Sequence, residues 1–330
     1  MNATATPIKI AILDDYQNVA LKMADWSALQ GRASIEVFSD TISNPDDLVA
    51  RLLPFDVICV MRERTPLPRE IIERLPRLKL IASTGAKNNS IDSAAAEEKG
   101  ITVTNTKSSV VPPIELTWAL ILAAVRHVPS ENASLRAGGW QQKIGEEIKG
   151  KTLGILGLGR IGSEIARIGQ AFGMTAIAWS ERLTQEKADE AGARLVSKEE
   201  FFREADIVSI HLVLVDATRG LVGAPELDLM KPTSWLINTS RGPIVDEAAL
   251  VDALTARKLA GAAIDVFDVE PLPAKHPFRV LDNVLATPHL GYVSRNQYEV
   301  FYSETVASIT AWLDGQTSHS ETKPVSRAAE

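Results

Sequence analysis

The chain has 330 residues, 45% of them hydrophobic and 23% charged, the balance of a soluble globular protein long enough for two domains. Its net charge of -7 argues against nucleic acid as a partner, because that binding needs a basic face. The longest apolar stretch, residues 116–125, is too short to span a bilayer.

Residues 1–7 are small and polar and show no signal peptide, so a cytoplasmic protein is expected. Residues 8–13 read as a strand ending at Asp14-Asp15, and 19–29 as the helix after it. Further strands are predicted at 35–38, 57–61, 78–83 and 101–104, with helices at 46–53 and 69–74. Strand and helix in alternation imply parallel strands joined by crossovers. The single cysteine, Cys59, lies in the run Val57-Ile58-Cys59-Val60; it can form no internal disulfide and reads as a small buried strand residue. Pro112-Pro113 opens a long helix, a position where proline is tolerated. Residues 114–127 are apolar on most faces, which predicts deep burial and a connection between domains. Gly138-Gly139 and Gly145 mark a loop. Strands follow at 152–156, 175–179, 207–211, 234–238 and 262–267, with a helix at 161–172 and a strand-like stretch at 284–286. This second half is expected to be a doubly wound nucleotide-binding domain. A helix over 296–312 should return to the first domain, and the polar tail after Gly315 reads as disordered.

The loop Gly157-Leu158-Gly159-Arg160-Ile161-Gly162 is the first chemical signal. A lone pattern of this kind is weak in a chain with 20 glycines, but here it follows a strand and opens an apolar-periodic helix at Ile161, Ile165 and Ile168. Gly157 allows the tight turn, Gly159 lets the backbone approach a pyrophosphate, and Gly162 lets the helix pack on the strand. The next strand ends Trp179-Ser180-Glu181-Arg182. Ser180 stands where an aspartate would bind the ribose hydroxyls of NAD. Its neutrality and the cation of Arg182 favour NADP; Glu181, if turned inward, favours NAD, and both charges also read as solvated loop residues.

Three side chains follow strands of the second half: Arg241 in Asn-Thr-Ser-Arg-Gly-Pro, Glu270 in Asp-Val-Phe-Asp-Val-Glu-Pro, and His289 in Thr-Pro-His-Leu-Gly. Active sites of open α/β sheets lie at strand ends. Carbonyl reduction builds negative charge on oxygen, so a proton donor is needed, and a histidine suits that near neutrality. A carboxylate beside it favours its protonated form and fixes the ring. An arginine can hold a substrate carboxylate through two parallel hydrogen bonds. Singly, each residue reads as a surface arginine, a loop glutamate or a capping histidine. His211, at a strand end, is a candidate for the adenine pocket, while His127, His276 and His319 read as structural or exposed. No histidine or cysteine cluster has metal-ligand spacing.

Taken together, the chain resembles the D-isomer-specific 2-hydroxyacid dehydrogenase family from about residue 8 to residue 312. The resemblance is carried by Gly150-Lys151-Thr152-Leu153-Gly154-Ile155, Asn238-Thr239-Ser240-Arg241-Gly242, Val245-Asp246-Glu247, Asp265-Val266-Phe267, Glu270-Pro271 and Thr287-Pro288-His289. It implies a flavodoxin-like substrate domain over 1–108 completed by 290–330, a Rossmann domain over 109–289, a cleft between them, and a homodimer. It further implies that Arg241 binds a 2-keto acid and that His289 is the acid/base oriented by Glu270. Asp265 would hold the nicotinamide carboxamide, and Arg160 and Ile161 would meet the pyrophosphate. Thr239, Ser240 and Arg241 would run beside the nicotinamide, with Thr218, His289 and Gly291 among the cofactor contacts. Trp140 falls where relatives place an intersubunit segment. Glu270 tells against formate dehydrogenases, which carry glutamine there, and no phosphoglycerate-dehydrogenase regulatory extension is expected.

One departure concerns the substrate loop, usually Gly-Val-Gly-x-Asp-Asn-Ile-Asp. Here it reads Gly85-Ala86-Lys87-Asn88-Asn89-Ser90-Ile91-Asp92, with Lys87 in place of a glycine beside the substrate carboxylate. Gly85, Ala86 and Lys87, with Arg241 and His289, are the expected substrate contacts, and Arg62 and Arg64 are further candidates. The expected activity is NAD(P)H-dependent reduction of a small 2-keto acid such as glyoxylate or hydroxypyruvate. The alternatives are a nucleotide-sensing protein like the C-terminal-binding-protein corepressors, and phosphite oxidation.

Overall fold

The computed structural model describes residues 7–315. The tail expected to be disordered, His319 and the first six residues lie outside the described residues. The chain divides into two compact units, one formed by the described residues up to Ser109 and from Ser294 onward, the other by Val110–Val293.

The first unit is built on five strands, β1 (Ile8–Ile12), β2 (Ala33–Val37), β3 (Val57–Val60), β4 (Leu80–Ser83) and β5 (Thr102–Asn105). They pair in the order β2-β1-β3-β4-β5, all parallel. This is the flavodoxin-like order, reversing between β1 and β3. Every residue of β3 and β4 is buried, as expected of central parallel strands covered on both faces. Cys59 sits inside β3, where burial pushes its thiol up to about 12 and leaves it unreactive. Side chains start the neighbouring helices. Asn44 accepts from the amides of Asp46 and Asp47 to open Pro45–Leu52, and Asp92 accepts from Ala95 N to open Ser93–Glu98. The terminal helix Arg295–Leu313 buries Tyr298, Phe301, Tyr302, Val306 and Ile309 in this unit.

The helix expected over 19–29 is absent. The segment forms two short 3₁₀ turns, Ala20–Lys22 and Ser27–Leu29. Local side-chain bonds compete with a continuous helix here. Asp15 accepts from Val19 N and Ala20 N, Asp25 accepts from Ser27 N, and Trp26 Nε1 donates to the Ala20 carbonyl.

The second unit holds seven strands: β6 (Thr152–Leu156), β7 (Thr175–Trp179), β8 (Arg194–Leu195), β9 (Ile207–Ile210), β10 (Trp235–Asn238), β11 (Gly261–Ile264) and β12 (Val284–Ala286). Their order is β12-β11-β10-β9-β6-β7-β8, again all parallel, and it reverses between β6 and β9. Successive side chains of a strand point to opposite faces, and each face has its own core. Leu156, Ile177, Val208, Ile210, Leu236 and Ile264 pack on one side with Phe201 and Phe202. Ile155, Ala176, Ala178, Ile207, Ile237 and Ala263 pack on the other with Trp118, Ile121 and Ile165. The long apolar helix runs Val111–Val125 and belongs to that second core. The chain then turns through His127 in the left-handed region (φ 53°) into a second helix, Val128–Arg136, which the sequence pattern does not announce. The strand expected to reach residue 267 ends at Ile264, because the next residue, Asp265, turns its carboxylate back onto a neighbouring loop.

Candidate active site

Because all seven strands run the same way, the segments after β6, β9, β10, β11 and β12 leave the same edge of the sheet. The glycine loop follows β6 and borders the point where the strand order reverses. Gly157 has φ 100°, and a Cβ there would stand 2.8 Å from the His211 carbonyl oxygen. At Gly162 a Cβ would stand 2.1 Å from the Gly157 carbonyl oxygen, so the helix packs directly on the turn. Gly159 is different. It is exposed, and a Cβ built on it meets no protein atom within 4 Å. It opens helix Arg160–Ala171 without any side-chain cap, which leaves the first-turn amides for an anion. Arg160 is exposed and Ile161 half-buried at that helix start. The donor set and open approach fit the pyrophosphate of a dinucleotide. After β7, Ser180 is half-buried while Glu181 and Arg182 are exposed.

His211 follows β9. Its Nε2 lies 2.8 Å from Ser209 Oγ, and burial pushes the imidazole down to about 3, so it is neutral under physiological conditions. Thr218 closes its own loop, its hydroxyl donating to the Val213 carbonyl at 2.7 Å and accepting from Val215 N at 2.9 Å. After β10, Asn238 shapes the next loop: its Nδ2 donates to the Arg241 carbonyl at 3.0 Å and its Oδ1 accepts from Ser240 N at 3.0 Å. Ser240 Oγ donates to the Leu212 carbonyl. Thr239 Oγ1 lies 2.7 Å from the hydroxyl of Thr117 on the buried helix. Arg241 Nη1 donates to the Ser240 carbonyl at 2.8 Å, which orients the guanidinium.

Glu270 lies in the loop after β11 and His289 in the loop after β12. His289 Nδ1 and Glu270 Oε2 are 2.5 Å apart, and Glu270 Oε1 accepts from Phe267 N at 3.0 Å. An ionised carboxylate only accepts, so the proton between them sits on Nδ1 and leaves Nε2 as the nitrogen free to exchange a proton. Burial alone would raise Glu270. The hydrogen bond and charge of His289, the Phe267 amide and nearby Arg241 outweigh it and hold the carboxyl below the ordinary carboxylate range. The ring of Tyr292 stands edge-on to His289, with centroids 5.5 Å apart. His289 itself adopts φ 53°, held there by its own amide, which donates to the Asp265 carbonyl at 2.9 Å.

Asp265 has no exposed surface. Its carboxylate accepts from Thr287 Oγ1 at 2.6 Å, Leu290 N at 2.7 Å and Gly291 N at 2.8 Å. Burial raises its pKa against those bonds and the charge of His289. In this structure the carboxylate ties down the loop that carries His289, an arrangement invisible in the sequence because two of its three partners are backbone amides and the third, Thr287, lies 22 residues away. Among the described residues no group of three or more His, Cys, Asp or Glu is placed to hold a metal ion.

In the first unit, Gly85, Ala86 and Lys87 follow β4. Gly85 is buried with φ 89°, and the Arg62 guanidinium lies where its Cβ would be, 1.8 Å from Nη1. Ala86 and Lys87 are exposed. Arg64 donates to the Asp14 carbonyl at 3.2 Å and stacks 4.6 Å over the Tyr16 ring.

This arrangement can be compared with known proteins. The family model described as D-isomer specific 2-hydroxyacid dehydrogenase, NAD binding domain, matches residues 118–291. The chain is 45% identical over 236 residues to a glyoxylate reductase of Aeropyrum pernix, covering 68% of this chain and 70% of that one. It is 38% identical over 288 residues to a D-3-phosphoglycerate dehydrogenase of Methanocaldococcus jannaschii, covering 86% of this chain and 53% of the relative, so it spans about half that protein's length. The solved structure of a phosphoglycerate oxidoreductase from Vibrio cholerae superposes with a TM-score of 0.88 at 43% identity, covering 93% of this chain and 99% of that one. With the strand order, the glycine loop and these matches in agreement, the chain belongs to the D-isomer specific 2-hydroxyacid dehydrogenase family.

Proposed function

We propose that this protein reduces a small 2-keto acid, of the size of glyoxylate or hydroxypyruvate, to the D-2-hydroxy acid. The observation that carries the reading is the 2.5 Å pair of His289 Nδ1 and Glu270 Oε2, with Arg241 close enough to act on Glu270 by its charge. A dinucleotide held at the Gly157–Gly162 loop and the start of helix Arg160–Ala171 would supply the hydride for the keto carbon. Arg241 holds the substrate carboxylate and draws electron density toward the carbonyl oxygen. His289 Nε2 gives that oxygen its proton, and Glu270 stabilises the charged ring before the transfer. In the reverse direction the same nitrogen takes the hydroxyl proton. The test is the initial rate of NADH and NADPH oxidation with glyoxylate, hydroxypyruvate, pyruvate and a bulky aryl keto acid. Silence across that panel, with dinucleotide binding demonstrated, overturns the reading. NAD reduction by phosphite alone would point to phosphite oxidation, and dinucleotide-dependent assembly without turnover to a nucleotide sensor. Lys87, exposed in the substrate loop, is the residue whose charge should decide the ranking of acids in the panel.

Ser180 and exposed Arg182 support NADPH as the preferred cofactor. A carboxylate at residue 180 repels a 2′-phosphate and hydrogen-bonds a 2′-hydroxyl. Ser180→Asp is therefore expected to raise KM for NADPH and improve kcat/KM with NADH. An unchanged ratio of the two specificity constants would remove the argument for NADPH.

A homodimer is also proposed, joined through the second unit. Helix Val128–Arg136 and the segment after it expose Val128 (54%), Leu135 (56%), Trp140 (71%) and Ile144 (94%). Large apolar side chains this exposed within one short stretch of chain mark an interaction surface. Trp140→Glu with Ile144→Glu should convert a dimer into a monomer in light scattering after gel filtration. A wild-type protein that already runs as a monomer sinks the idea.

A further inference from the structure

The segments that carry Arg241 and Glu270 are held together by contacts away from the reacting groups. After Arg241 the chain turns through Gly242, Pro243 and Ile244 to Asp246, which accepts from Ala249 N at 3.0 Å and caps helix Glu247–Thr255. Gly242 lies flat against the junction of Phe267 and Asp268, where a Cβ would stand 2.1 Å from the Phe267 carbonyl carbon and 2.7 Å from Asp268 N. Glu247, the first residue of the helix, reaches across the same junction. Its Oε2 accepts from Asp268 N at 3.1 Å, and its Oε1 lies 3.0 Å from His276 Nε2. Glu270 sits on the stretch between those two attachment points.

His276 is set up for this contact. Its Nδ1 accepts from Phe278 N at 3.2 Å, so the ring proton is on Nε2 and is donated to Glu247. The pair therefore forms with a neutral histidine, and the ring is further fixed against Phe278 at 4.7 Å between centroids. The carboxylate of Glu247 is also electrostatically awkward where it is. Burial, then the charge of Glu247, hold Asp268 above the ordinary carboxylate range, and Asp246 adds to the repulsion while Arg219 relieves it. A carboxylate kept among carboxylates, with each of its oxygens given a hydrogen-bond partner, has its position determined by those partners.

We propose that Glu247 and His276 are positioning residues of the active site, tying both ends of the Glu270 segment to the turn that follows Arg241 and so fixing Glu270 where it holds His289. The inference rests on the reading of His289 as proton donor. Two variants separate its parts. His276→Asn keeps a side-chain acceptor for Phe278 N, asparagine being a good cap, but is too short to reach Glu247. Glu247→Gln keeps the size but can present an N–H toward the Nε2–H of His276. In the full-length ¹⁵N-labelled protein at fixed pH, the imidazole ¹⁵N shifts of His289 should move in both variants. In turnover, kcat should fall on the order of 10- to 100-fold, the scale of a misplacement of about 1 Å, with dinucleotide affinity unchanged. Unmoved His289 shifts overturn the inference, and so does a lower Tm with kcat and the shifts intact. If the wild type reduces no keto acid, the reading of function fails by itself; the His289 shifts still decide whether Glu247 and His276 position the ring.

Discussion

Replacing His289 by alanine is expected to lower kcat for keto-acid reduction by about 10²- to 10⁴-fold, the range a positioned general acid contributes. Dinucleotide affinity should fall far less than kcat, because the glycine loop that meets the pyrophosphate follows a different strand, β6, and makes none of its hydrogen bonds to the histidine. The geometry behind the size of the effect is specific. His289 Nδ1 is engaged by Glu270 at 2.5 Å, so the ring has one tautomer and one nitrogen left for the substrate. Asp265 and the backbone fix the loop at five points: Thr287 Oγ1, Thr287 N, His289 N, Leu290 N and Gly291 N all donate to the segment Ile264–Asp265. The charge balance also gives a sign for pH. Glu270 is held below its unfolded value, so its contribution to stability is present above the unfolded pKa and lost as pH falls through the folded one. Acid that protonates Glu270 should therefore remove this contribution, which neutral pH leaves intact. The measurement is kcat and KM for the best acid of the panel, wild type against His289→Ala, beside dinucleotide binding by fluorescence. A variant retaining wild-type kcat would falsify the assignment of the proton to this ring.

The parts of this molecule that were legible in the sequence are those whose cause is local. Buried parallel strands are short continuous apolar runs, and Val57–Val60 and Ile207–Ile210 need no partner to be recognised. The glycine loop is legible because a tight turn, a close helix and an open approach each demand a residue without a side chain. Arg241, Glu270 and His289 are legible as charged groups just after apolar runs, and the parallel sheet brings those run-ends to one edge. What was hidden depends on distant or backbone partners. The two-residue strand Arg194–Leu195 is too short to carry a period, and the 3₁₀ turns near Ala20 depend on Asp15, Asp25 and Trp26 bonding to backbone. Helix Val128–Arg136 has no buried residue at all, so it lacks the apolar stripe by which a helix is recognised. His276 reads as an ordinary structural histidine until Glu247, 29 residues earlier, is seen against it.

The glycine loop allows a contrast that separates folding from cofactor binding. Gly162→Ala places a methyl group 2.1 Å from the Gly157 carbonyl oxygen and 3.1 Å from Ile155 Cγ2, both inside the buried junction of β6 and its helix. A backbone oxygen cannot give way as a flexible side chain does, so the helix must move off the strand. Overpacking of this kind costs about 1–3 kcal/mol, and more when backbone must shift. Gly162→Ala should therefore lower the unfolding midpoint of the second unit by several degrees and weaken dinucleotide binding with it. Gly159→Ala should do only the second. Its φ of −87° suits alanine, and the new methyl meets no protein atom within 4 Å, so the stability change should stay within about 0.5 kcal/mol, as for a surface substitution. The space it fills is the one through which a pyrophosphate approaches the uncapped amides of the helix, so the dissociation constant for NAD(P)H should rise by about tenfold or more, equivalent to at least about 1.4 kcal/mol. Calorimetric unfolding and dinucleotide titration on the two variants read the two effects separately. A Gly159→Ala protein that binds the dinucleotide as well as wild type would mean that the phosphates do not lie on this loop, and the assignment of the cofactor to the β6 strand end would fall with it.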